Sequence, residues 1–177
     1  MKMIAVVSCI SALAMAATMV GAQRAHSRPE QTHFSAEDEE VNVPVKIPDD
    51  VWAILKADEY VLTVMENEDP KLDQVPSSWF SASIIHLQSS NQDDLIVEAE
   101  GELRGANVNN FWVFLRRPSG TSLVVNGPAH DLIVRRTRWH GYRIIELDSI
   151  TCCRLDTTWL RLENGRYRDY RHVSRDL

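Results

Sequence analysis

The sequence predicts an α+β fold, with an N-terminal helix or helix pair packed on a curved antiparallel β-meander of about seven or eight strands. Three observations carry that prediction. Apolar residues recur at near-helical spacing from Val51 to Met65, the pattern turns to period two from Trp79 onward, and short turn signals punctuate the rest of the chain.

Met1 to Ala22 reads as a secretory signal peptide: Lys2 forms a positive n-region, Ile4 to Val20 is an uncharged run, and Val20-Gly21-Ala22 offers small residues for cleavage. A spanning helix needs about 20 apolar residues. This run is shorter and carries Ser8, Ser11 and Thr18, so no stable membrane anchor is expected after cleavage and the expected location is secreted or periplasmic. Residues 23–42 are polar, end in Glu37-Asp38-Glu39-Glu40, and hold only Phe34 and Val41 as sizeable apolar residues, which predicts a disordered acidic tether. Residues 43–177 form the expected single α+β domain.

Within that domain Val43 to Ile47 is extended by its proline and valines, and Pro48-Asp49-Asp50 marks a helix start with acid in the first turn. Val51, Ile54, Leu55, Val61, Leu62 and Met65 then predict one helix, or two short ones kinked near Asp58, over Asp49 to Glu66. Pro70 and Pro76 close it off. Strands follow at Phe80 to Ile85, Leu95 to Glu100, Asn109 to Arg117, Ser122 to Asn126, Leu132 to Thr137, Tyr142 to Asp148, Cys152 to Glu163 and Arg166 to Arg171. Pro118-Ser119-Gly120, Asn126-Gly127-Pro128, His140-Gly141 and Asn164-Gly165 are turn signals between them. Both faces of Phe111 to Leu115 are apolar, which predicts a central strand covered on both sides.

The net charge of −6 hides a division. Residues 23–103 carry 5 Lys+Arg against 18 Asp+Glu, whereas residues 104–177 carry 13 against 7 and every basic residue there is arginine. Arginine suits carboxylate, phosphate or sulfate, so a C-terminal anion-binding surface is one reading and mutual neutralisation of the two halves within the fold is the other. An acidic chain with an export signal makes nucleic acid a poor partner. Cys9 leaves with the signal peptide. Cys152 and Cys153 fit a vicinal disulfide, a disulfide to another chain, or two thiols on alternate faces of a strand, and the last is favoured because free cysteine packs as a small hydrophobe. Successive sulfurs on a strand point apart, so no metal is expected there, and no cofactor is expected anywhere.

The sequence lacks Gly-x-Ser-x-Gly, His-Glu-x-x-His, Gly-x-x-x-x-Gly-Lys and Cys-x-x-Cys. His86, near a strand end, is placed by register within reach of Asp93 or Asp94, a base with its orienting carboxylate. His130-Asp131 and His140-Gly141 have turn roles that suffice. Glu98, Glu100 and Glu102 alternate along one strand as a solvated face, or as half of a calcium site that needs further loop ligands. Trp112, Trp139 and Trp159, together with Arg135, Arg136 and Arg138, are the binding candidates, since aromatic and arginine side chains dominate interface hot spots.

Phe111-Trp112-Val113-Phe114, Thr137 to Ile145 and Asn164-Gly165-Arg166-Tyr167 resemble a diffuse group of small secreted bacterial proteins of unknown function. That pattern has an aromatic strand, a Thr-x-x-Asn-Gly-Tyr-Arg-Asp-Ile-like segment and a Gly-x-Tyr hairpin in this order; here His140 replaces the asparagine and Ile144 the aspartate. The resemblance implies an envelope or secreted setting and no reaction. The expected function is therefore a non-enzymatic, exported binding or inhibitor-like domain with a protein or glycan partner in the cell envelope. A sugar- or peptidoglycan-directed hydrolase using His86 and a carboxylate, and a structural envelope module, are the alternatives.

Overall fold

A computed structural model describes residues 29–68, 74–88 and 91–177, and these described residues form two sheets and two α-helices. The elements are β1 (His33–Ser35), α1 (Asp49–Leu55), α2 (Glu59–Glu68), β2 (Phe80–Ile85), β3 (Asp94–Ala99), β4 (Asn109–Arg117), β5 (Gly120–Ala129), β6 (Asp131–Trp139), β7 (Tyr142–Thr151), β8 (Arg154–Glu163) and β9 (Arg166–Asp176). One sheet has the order β2-β3-β4-β5 and the other β1-β6-β7-β8-β9, with every pairing antiparallel. The signal peptide expected at residues 1–22 lies outside the described residues. None of the described helices is long and apolar enough to cross a membrane.

Helix α1 starts behind Pro48 with Asp49 and Asp50 in its first turn, where carboxylates favour the positive end of the backbone dipole. The helical stretch breaks before Asp58, as the kinked alternative had it. Asp58 Oδ1 accepts the amides of Tyr60 and Val61 at 3.0 and 3.4 Å and so caps α2. Val51, Leu55 and Val61 bury against Leu95, Val97, Trp112 and Phe114 of the four-stranded sheet. The other face of that sheet presents Ile96, Phe111, Val113 and Val125 to Leu132, Val134, Ile145, Leu160 and Tyr167 of the five-stranded sheet. The result is three layers, helices on sheet on sheet. Strand β4 is covered on both faces, as its unbroken apolar run implied.

The expected single meander is instead divided in two. The chain leaves β5 and turns through His130, whose amide donates to Asp148 O and whose carbonyl accepts the amide of Ala36, both at 2.7 Å. His130 Nδ1 also lies 2.9 Å from Asn107 O, so this residue pins the corner on three sides. Period-two alternation persists through the corner, and alternation alone does not report which sheet a strand joins. The hairpins end as their residues dictate: His140 and Asn164 hold φ of 47° and 50°, followed by Gly141 and Gly165 at 85° and 83°.

The acidic tether requires correction over residues 29–42. Its two apolar residues, Phe34 and Val41, are both buried in the inter-sheet core, and β1 pairs with β6. The Arg104 guanidinium donates to the carbonyls of Ala36, Asp38 and Glu39, which supplies the polar partners a docked segment needs.

Candidate functional site

The outer face of the five-stranded sheet collects the arginines and aromatics of the C-terminal half. Leu160 and Tyr167 turn inward to the core, so alternation carries Trp159, Arg161 and Arg168 outward. The Arg161 guanidinium lies 4.4 Å from the ring centre of Trp139 and 5.1 Å from that of Tyr170; Arg171 lies 4.6 Å from that of Trp159. Trp139 is 39% exposed and Tyr170 40%. These separations are those of cation–π contacts, and Arg161 Nε also donates to Glu163 at 2.5 Å. Arg166 and Arg168 make no ion pair or side-chain hydrogen bond among the described residues, and the same is true of Arg136.

The remaining binding candidates behave differently. Arg135 closes a two-pronged pair on Glu146, with Nε donating to Oε2 at 2.7 Å, and stays about half exposed. Arg138 spends one nitrogen on the carbonyls of Leu87, Gln88 and Gly141, which makes it a strut between segments. Trp112 must be withdrawn from the binding surface. It is wholly buried under the helices, and its Nε1 donates to Asp58 Oδ2 at 3.1 Å because the inner strand offers no route to solvent.

No protein-family model, curated protein or solved structure matches the chain.

His86 directly follows the end of β2. Its Nε2 is 3.5 Å from Asp93 Oδ1 and its Nδ1 is 3.6 Å from Glu30 Oε1. Glu30, within the expected tether, is occupied: it accepts Arg143 Nη1 at 2.9 and 3.0 Å and the His86 amide at 2.8 Å. Asp94 is locked in the interior, where it accepts the amides of Leu87 and Arg116 at 2.9 and 3.0 Å, and burial pushes its carboxyl up. The cavity of about 540 Å³ beside Asp93 is lined by Asp50, Arg116 and Thr121, and His86 is not part of its wall. Of the three proposed acid/base groups, His86 and Asp93 face each other and Asp94 is a backbone anchor.

The carboxylate row of β3 also differs from expectation. A short 3₁₀ turn at Gly101–Leu103 ends the alternation, so Glu102 is exposed while Glu98 is buried in the interior. Both Glu98 oxygens are buried without a hydrogen-bond partner. Burial, reinforced by the nearby Glu100 and Asp38 charges, pushes its carboxyl up to about 8. Glu100 keeps one partner, Arg104 Nη1 at 3.3 Å. Among the described residues no three metal-binding side chains converge, whereas a calcium ion wants six to eight oxygens.

Between β5 and β9 the sheets part, leaving cavities of about 550 and 420 Å³ that share Leu147 and Asp169 in their walls. At the larger one Thr158 Oγ1 is 3.0 Å from His172 Nδ1, and His172 Nε2 is 3.6 Å from Asp156 Oδ1. Thr158 opposes His172 and Asp156 opposes Ser174 in the β8–β9 register. The Ser174 hydroxyl donates to Asp156 and holds its carboxyl below the usual range. These cross-strand pairs brace the β8–β9 ribbon.

The cysteines do not alternate across a strand. They are the two-residue turn between Thr151 and Arg154, both exposed, with their sulfurs 3.2 Å apart. A turn, unlike a strand, places successive side chains on the same rim.

Proposed function

We infer that the chain is an exported, non-enzymatic binding domain whose outer arginine–aromatic face takes an anionic protein or glycan partner of the cell envelope. The observation that carries this reading is the stacking of Arg161 on Trp139 and Tyr170 and of Arg171 on Trp159. Aromatic backing restricts the guanidiniums before a partner arrives, which lowers the ordering cost of binding. The layering supports it too. The acidic helices cover the far face of the other sheet, so they do not neutralise this one. Fluorescence titration with polygalacturonate, an anionic glycan, and with polyglutamate, an anionic polypeptide, tests the reading. Saturable quenching by one of them, lost in Arg161→Ala, is expected; no quenching by either refutes it.

A second reading, an envelope sugar- or peptidoglycan-directed hydrolase, draws on the His86–Asp93 approach of 3.5 Å. It requires measurable turnover of peptidoglycan that His86→Ala abolishes. Equal turnover, or none, in both proteins removes it.

A further inference from the structure

We propose that the Cys152–Cys153 turn is a two-thiol binding site for a pyramidal thiophilic centre, trivalent arsenic or antimony. The two cysteines constitute the whole loop of the β7–β8 hairpin, and Thr151 and Arg154 are already paired on either side. The turn is fastened further by Thr151 Oγ1 donating to Arg154 O at 3.3 Å and by the Leu177 amide donating to Cys153 O at 2.9 Å. Both thiols are exposed, and among the described residues the only side-chain hydrogen bond of either is the one from Cys153 Sγ to Cys152 Sγ. The pair is thus open and held on a short ladder, and among the described residues no other metal-binding side chain converges on it.

The separation of the sulfurs already fits one class of ligand. With bonds to sulfur of about 2.3 Å, two sulfurs stand about 4.6 Å apart on a linear centre, about 3.8 Å on a tetrahedral one and about 3.3 Å on a pyramidal one with near-right-angle bonds. The observed 3.2 Å matches the last. A linear bis-thiolate of a soft metal needs the sulfurs to move apart, and a disulfide of about 2.05 Å needs them to move together. Binding needs no redox step. With an organoarsenic(III) oxide, two As–S bonds form and the arsenic–oxygen double bond breaks. Both thiol protons leave with the oxygen as water, and no atom changes oxidation state. The hydrogen bond to Cys152 keeps the Cys153 proton in place beforehand, raising that thiol above its ordinary value.

The test uses the full chain carrying Cys9→Ser, so that only these two thiols remain. The reduced protein is mixed with equimolar phenylarsine oxide, then challenged with excess glutathione and with dimercaptopropanol, and followed by intact mass. The expected product is a one-to-one adduct with loss of one water. It should resist the monothiol, yield to the dithiol and shield both cysteines from iodoacetamide. Cys152→Ser and Cys153→Ser lie at an exposed turn and should keep the wild-type circular dichroism spectrum, and each should weaken binding by about 10²-fold because the second bond is no longer intramolecular. Retention of a glutathione-resistant adduct in either single variant overturns the proposal. Alkylation of both cysteines at the same rate with and without the arsenical overturns it as well.

Discussion

Replacing Glu98 by glutamine should stabilise the protein, and increasingly so as the pH rises. The carboxyl has a folded-state pKa of about 8 against 4.5 when free, because it is buried among Ile96, Phe111 and their neighbours with neither oxygen bonded. Below pH 4.5 both folded and unfolded chains hold the proton, and the group is neutral in the balance. Between pH 4.5 and 8 the unfolded chain has lost the proton that the folded chain retains, so stability falls with pH. At about 1.4 kcal/mol per pH unit the loss is about 3 kcal/mol by pH 7 and about 5 kcal/mol above pH 8. That is a large fraction of the 5–15 kcal/mol typical of a domain, on the order given by general experience. Glutamine keeps the shape and never ionises, so the difference Glu98→Gln minus wild type should be near zero at pH 4 and climb along that curve. Urea unfolding followed by tryptophan fluorescence, repeated from pH 4 to 9 on both proteins, measures it. A difference that is flat across the range, or that favours the wild type at pH 8.5, would refute the reasoning.

Other perturbations follow from the same geometry. Phe34→Ala empties a wholly buried ring position in the inter-sheet core and should cost about 3–5 kcal/mol; hydrogen exchange should show residues 33–42 losing protection before the sheets do, and equal loss everywhere would contradict the docking described. Asp58→Ala removes the cap of α2 and the acceptor for both Trp112 Nε1 and Asn126 Nδ2, the latter at 2.8 Å, and should cost about 2–4 kcal/mol in thermal or urea unfolding. A change under 0.5 kcal/mol would show that those bonds are replaced by water without loss.

Much of the fold was legible where local chemistry and packing agree. The break at Asp58, the type I′ turns at His140-Gly141 and Asn164-Gly165, and the double-sided burial of Phe111 to Leu115 are all written in spacing and turn residues. What escaped is what depends on distant chain. Phe34 and Val41 look like stray apolar residues in an acidic stretch until β6 and Arg104 are placed beside them. Glu98 alternates like a solvated residue, but its face of β3 is the one the second sheet covers. Trp112 and Trp159 carry the same side chain on strands of similar pattern, yet one lies under the helices and the other beside Arg171 on the outside. Only the division at His130 into two sheets decides which is which. The cysteines were misread because strand periodicity was extended into a two-residue turn.

The most direct test of the binding account is an isothermal titration of polygalacturonate and polyglutamate into the wild type and an Arg161→Ala/Arg171→Ala double variant, at low and physiological salt. Both substitutions lie on an exposed face, so the fold should survive them. The account predicts saturable binding of at least one polyanion, weakened by salt, and a loss of about tenfold or more in affinity for the double variant, since the two guanidiniums removed each supply charge-assisted hydrogen bonds to the polyanion worth on the order of 1 kcal/mol at an exposed surface. Absence of binding by both polyanions, or equal affinity and salt dependence in the two proteins, would contradict it.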